Sequence, residues 1–160
     1  METIFLLGRF HPLLVHLPIG FLILAILIEI YCSIFKIRVN QSIINFTWFI
    51  AFVSSILTTT LGLLIAETGH YIDENLFMHK VFGLSLTTVS FVSWFFRLSF
   101  FSNLFSSSLK TLSNTLIVVL LTLTGHYGGN LTHGETYLVD YAPEKIKEMV
   151  VKKNKYVELD

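Results

Sequence analysis

Charge and cysteine are the two things this sequence has least of, and each scarcity excludes something. Only 14% of the residues are charged, against 53% hydrophobic, where a soluble domain carries roughly 25% charged residues. A chain of 160 residues with so little polar surface cannot clothe a water-soluble globule, so lipid must cover part of it. The mean hydropathy of +0.69 points the same way. Eleven basic side chains balance eleven acidic ones, which excludes a polyanionic partner such as a nucleic acid. The five lysines of the tail (Lys145, Lys147, Lys152, Lys153 and Lys155) are interleaved with acids and read as a solvated amphipathic segment. The single Cys32 excludes an internal disulfide and any Cys-based zinc or iron–sulfur site.

Long hydrophobic runs are what the chain has instead. A membrane-spanning helix needs about 20 mainly apolar residues, and four stretches qualify: Leu13–Phe35, Ile44–Ala66, Val81–Leu98 and Leu109–Gly125. The first is too long for the apolar region of a cleaved signal and lacks an Ala-x-Ala-like site after it, so it reads as a retained helix. The other three carry many hydroxyls, among them Ser54, Ser55, Thr58, Thr59, Ser85, Thr87 and Ser93. Such residues let membrane helices approach closely and bond across the contact. The predicted fold is an all-α four-helix transmembrane bundle built from two helical hairpins. It occupies residues 1–135, with an external tail over 136–160 that carries a short helix starting at Pro143. Lys36 and Arg38 follow the first span, Arg97 and Lys110 follow the third, and neither loop contains an acid. The positive-inside rule then makes both short loops cytoplasmic and both termini external, in a bacterial inner membrane.

Two passages repeat an order. Phe10-His11-Pro12 precedes two spans and then Thr68-Gly69-His70-Tyr71; Met78-His79-Lys80 precedes two spans and then Thr124-Gly125-His126-Tyr127. This predicts a parallel repeat about an axis along the membrane normal. Up-down-up-down topology then brings His11, His70, His79 and His126 to one membrane face. His16 lies about 7.5 Å deeper, and His133 follows the glycine-rich stretch Gly128-Gly129-Asn130, which reads as a helix stop leading into a lid.

Histidine near neutrality is a metal and haem ligand, a pH switch or a proton carrier, and bundle cores are where facing helices build such sites. One such histidine is more often an interfacial polar tip. Six at one face, with none at the other, favour a site. Two neutral imidazoles from opposed helices supply both axial positions of a b haem. Phe77, Phe82, Leu84 and Leu123 are candidate walls, and Gly69, Gly83 and Gly125 candidate room-makers. The candidate ligands are His11, His16, His70, His79 and His126, with His133 on the lid and His16, inside an apolar run, foremost. Covalent haem attachment is excluded, since Cys-x-x-Cys-His is absent. Zinc, held by three histidines with Glu67, Asp73 or Glu74, or copper are the alternatives. Glu29, a lone acid deep in the first span, is a candidate proton-relay group, though such a residue more often bonds a neighbouring hydroxyl or reaches the interface.

The opening Gly8-Arg9-Phe10-His11-Pro12-Leu13-Leu14-Val15-His16-Leu17-Pro18-Ile19 resembles the His-Pro-x-x-Val-His-x-Pro-Ile motif of a family of uncharacterised bacterial four-helix membrane modules. Gly125-His126-Tyr127-Gly128-Gly129-Asn130-Leu131-Thr132-His133-Gly134 resembles that family's closing element. Members often precede a c-type cytochrome domain. The resemblance implies a membrane location and a redox neighbourhood. This chain ends about where that domain would start, so a separate carrier is expected and a fused one is not. The expectation is a b-haem electron-transfer subunit working between the quinone pool and a membrane or external cytochrome. The competing reading is a non-redox assembly or anchoring subunit whose histidines bind a divalent metal. An enzyme acting on lipid or quinone lacks a nucleophile–base pattern.

Overall fold

A computed structural model describes residues 2–68, 74–98, 100, 105–134 and 136–148. Helices α1 (Glu2–Gly8), α2 (His11–Leu14), α3 (His16–Phe35), α4 (Gln41–Ala66), α5 (Glu74–Phe95) and α6 (Ser107–His133) make up the chain, with no strand among the described residues. Four stretches are long and apolar enough to cross a membrane: Phe5–Phe35, Gln41–Ala66, Glu74–Phe95 and Ser107–His133. A 3-10 turn at Tyr137–Val139 and a helical turn over residues 144–148, opened by Pro143, form the tail.

The first span is broken twice, at Arg9-Phe10 and at Val15, and the prolines explain the breaks. Pro12 and Pro18 have no N–H to donate to the carbonyl four residues back. The carbonyl of Leu14 that Pro18 leaves free accepts the Thr58 hydroxyl of α4 at 3.2 Å. Upstream of the first break, α1 lies close on α4: a Cβ on Gly8 would stand 2.7 Å from the Ile65 backbone nitrogen. The later helices are capped conventionally. The Asn40 side chain accepts from Ser42 N at 2.9 Å, and Ser106 accepts from Leu109 N at 3.3 Å.

Two expectations need correction. The helices outrun the hydrophobic stretches, α5 starting at Glu74 where Val81 was expected and α6 ending at His133 where Gly125 was expected. Gly128 and Gly129, read as a stop, lie inside α6, which ends at Gly134 with φ 88°. In lipid every backbone polar group must be satisfied internally, and that need outweighs glycine's helix penalty of about 1 kcal/mol.

α3 packs on α4 and α5 on α6 as two hairpins, joined mainly across α4 and α5. Leu22, Ala25, Ile26, Trp48, Ala51, Leu86, Ile117 and Leu120 form the core. Large apolar residues such as Leu13, Ile34, Phe35 and Leu112 face outward, as a bundle solvated by lipid allows. Thr59 of α4 and Thr87 of α5 join the hairpins through a 2.7 Å hydroxyl–hydroxyl bond.

The hairpins repeat one another residue for residue. The shift that carries His11 to His79 also carries Pro18 to Leu86, Leu22 to Ser90 and Ala25 to Ser93, and every member of those last three pairs is buried. On α4 and α6 a shift two residues shorter carries Ala51 to Ile117 and Ser54 to Leu120, again buried throughout. The parallel repeat is therefore present, in a register different from the one the Thr-Gly-His-Tyr pair implied. Thr124 answers to Thr58, ten residues before Thr68.

Candidate functional site

Of the five described histidines, the structure brings two together. His11, at the start of α2, and His79, in the second turn of α5, put their ring centroids 6.1 Å apart with the planes at 83°. Each is held the same way by the second helix of its own hairpin. His11 Nδ1 donates to the Thr58 carbonyl at 2.9 Å, and His79 Nδ1 donates to the Thr124 carbonyl at 3.0 Å. The sequence separations across these two bonds, 47 and 45, repeat the two-residue difference between the hairpins. A carbonyl can only accept, so Nδ1 carries the proton and Nε2 of the neutral ring keeps a free lone pair.

One turn beyond each carbonyl stands a glycine that makes room for the ring. A Cβ on Gly62 would lie 2.8 Å from His11 Cε1, and one on Gly128 would lie 3.0 Å from His79 Cε1. His11, Thr58 and Gly62 in one hairpin thus match His79, Thr124 and Gly128 in the other. Thr58 and Thr124 lie eight and nine residues before the ends of α4 and α6, so the pair sits about 12 Å below those ends at 1.5 Å per residue. These helices, about 39–40 Å long, overhang a hydrocarbon core of about 30 Å.

The other histidines are elsewhere. His16 is exposed on the outer face of α3, its Nδ1 turned back to the Leu13 carbonyl at 3.1 Å. His126 is exposed on α6 beside Tyr127. His133, also exposed, stacks on Tyr137 at 4.4 Å. His70, with Gly69, Tyr71 and Asp73, lies outside the described residues. The candidate walls divide too: Phe77 and Leu84 point outward, while Phe82 packs on the core and stacks on Tyr127. At Gly83 and Gly125 an added Cβ would meet Thr124 Cγ2 at 4.0 Å and nothing within 4 Å respectively, so neither glycine lies against a histidine ring. Thr58, Gly62, Thr124 and Gly128 went unrecognised. Their signal was a Thr-x-x-x-Gly one turn long in the second helix of each hairpin.

A second polar centre lies at the opposite end of the bundle, around Arg97, which is 1% exposed. Arg97 grips both carboxylate oxygens of Glu29, Nε on Oε1 and an Nη on Oε2. It also donates to Asn114 Oδ1 at 2.7 Å and the Ser93 carbonyl at 2.8 Å, and lies 4.0 Å over the Trp48 ring. Glu29 further accepts from Trp48 Nε1 at 3.1 Å and Asn114 Nδ2 at 2.8 Å. Arg97 was expected to be a loop charge; it is buried because Glu29 is there to neutralise it.

The family model for DUF2231, described as a predicted membrane protein, matches residues 9–139 of this chain. The chain belongs to that family. The matched region opens two residues before His11 and closes at the 3-10 turn, so it takes in both histidine–carbonyl–glycine sets and the Glu29–Arg97 centre. No curated protein and no solved structure matches the chain. The family establishes a membrane protein of four candidate spans and assigns no activity to it.

Proposed function

We propose that this DUF2231 protein is a membrane electron-transfer subunit that holds one b haem between its hairpins, with His11 and His79 as the axial ligands. The observation that carries the reading is the matched pair: two imidazoles, one per hairpin, each with Nδ1 spent on a backbone carbonyl and Nε2 free. A ligating histidine is oriented in just this way, its other ring N–H given to a carbonyl that fixes the tautomer. The two rings, 6.1 Å apart centroid to centroid, would hold the iron of a haem between them, and the haem would supply a one-electron couple.

A zinc site would ask the protein for three or four ligands, and His11 and His79 are the two described histidines whose rings meet. A haem asks for two, and has no open position when both are filled. The chain's own residues would supply orientation through the Thr58 and Thr124 carbonyls and clearance through Gly62 and Gly128. The resemblance of the opening motif implies a membrane location and a redox neighbourhood, and electron exchange with a quinone or a cytochrome in a bacterial inner membrane completes the proposal.

The test is a reduced-minus-oxidised visible spectrum of detergent-purified protein expressed with ample haem. A sharp b-type α band is expected, lost in His11→Ala and in His79→Ala and kept in His16→Ala and His126→Ala. A flat parent spectrum ends the haem reading, and elemental analysis for zinc and copper follows. A band that His16→Ala removes and His11→Ala spares would move the ligands to the outer face.

A further inference from the structure

The shift that relates the two hairpins has a second consequence, at the arginine end. It carries Glu29 onto Arg97, which are 68 positions apart, as it carries His11 onto His79. The shorter shift of α4 and α6 carries Trp48 onto Asn114. All four residues of the buried network therefore occupy two pairs of equivalent positions. At the histidine end equivalent positions hold identical residues. Here they hold opposites: an acid faces a base, and an aromatic donor that binds the acid faces an amide that binds both.

We propose that the Glu29–Arg97 network is a recognition lock between the hairpins, by which the first hairpin accepts the second and refuses a second copy of itself. Apart from this centre the hairpins bury equivalent positions with uncharged residues that differ only in size and hydroxyl content, Leu22 against Ser90 and Ser54 against Leu120, and the histidine sets are interchangeable. Uncharged faces carry no strong penalty against a wrong partner, and specificity is sharpened by an element that supplies one. Two first hairpins would set Glu29 against Glu29; two second hairpins would set Arg97 against Arg97. Either pairing leaves like charges together in lipid, where a buried ion lacking its counter-ion is strongly destabilising. Only the unlike pairing forms the bidentate contact, seats the guanidinium over Trp48 and satisfies Asn114 from both sides. The fit is geometric as well as electrostatic, since a planar guanidinium matches a carboxylate and an ammonium does not.

The full-length chain tests this without reference to haem. In a Cys32→Ser background, Thr59→Cys and Thr87→Cys replace the two hydroxyls that touch across the hairpins at 2.7 Å. Oxidative cross-linking, read by mass spectrometry within the monomer band, then reports correct pairing. Glu29→Arg and Arg97→Glu are each expected to lower that cross-link several-fold and to raise the fraction running as dimers and larger species. The combined Glu29→Arg/Arg97→Glu reversal is expected to restore most of it. Should a single reversal fail to accumulate, Glu29→Gln, which keeps the acceptor and drops the charge, is expected to fold with an intermediate cross-link. Single variants that cross-link like the parent overturn the lock, as does a double reversal no better than either single one.

Discussion

At Gly62 and Gly128 the missing Cβ lets an imidazole lie against a helix backbone deep in the bundle, and only there do the two hairpins need glycine for the same purpose. Adding one methyl at Gly128 would push it to 3.0 Å from His79 Cε1, while at Gly129, next along the helix, it would meet nothing within 4 Å. Gly128→Ala is therefore expected to cost about 1–3 kcal/mol as overpacking and to weaken the bond from His79 to the Thr124 carbonyl. Gly129→Ala should gain up to about 1 kcal/mol of helix stability. Unfolding in detergent checks both, and equal effects at the two positions would remove the clearance argument. Neither role was readable from sequence, because glycine is frequent in any membrane helix. What separates Gly62 and Gly128 from the rest is a ring supplied by another segment; the Thr-x-x-x-Gly that the two hairpins share marks the places and not the ring.

The first span shows the same division between what an element's sequence states and what its neighbours decide. Pro12 and Pro18 bracket His16, and neither has an N–H for the helix, which makes a distorted helix there a physical expectation. They did not announce that the distortion would turn His11 inward and leave His16, the foremost sequence candidate, on the outer face. The deciding contact is the Thr58 hydroxyl on the Leu14 carbonyl that Pro18 cannot use. Thr60, two residues on, bonds only to Ile56 of its own helix. Thr58→Val is expected to destabilise the protein by about 1 kcal/mol, the usual scale for interhelical bonds in membranes, and Thr60→Val to stay within about 0.5 kcal/mol. Denaturant titration in mixed micelles would resolve the pair; a larger loss at Thr60 would mean that Thr58 does not hold the break. Helix ends were the least legible feature, since the polar and glycine-rich turns at the ends of α5 and α6 lie outside any hydrophobic run.

Over the whole molecule, the histidine pair and the arginine network mark opposite ends of one bundle. His79 and Arg97 are 18 positions apart, about 27 Å at 1.5 Å per residue, while their α6 partners Thr124 and Asn114 are ten apart, about 15 Å, so the side chains of both centres lean toward the middle of the bundle. Four spans, two hairpins and a parallel repeat were all legible from hydropathy and from His11 and His79. The repeat's register was not, because the Thr-Gly-His-Tyr identity was stronger in letters than the shared buried faces that fix it. Which end faces the cytoplasm turns on few charges. Arg97, counted among the orienting loop residues, is buried and neutralised by Glu29, so the bias rests on Lys36, Arg38 and Lys110. Those three face Arg9 and Lys80 at the histidine end, accompanied by Glu67 and Glu74, and also Lys145 and Lys147, which an α6 ending at His133 brings within about 15 residues of a span but which alternate with Glu144 and Glu148. We propose that the two short acid-free loops decide the orientation and put the arginine end inside. In a Cys32→Ser background, Tyr141→Cys in intact cells should react with a membrane-impermeant maleimide, and Ser108→Cys should react only after permeabilisation. The reverse pattern would invert the protein and place the histidine pair toward the cytoplasmic leaflet, where a quinone or cytoplasmic donor would have to reach it. Labelling of both positions from one side would break the four-span topology itself, since α6 alone separates them.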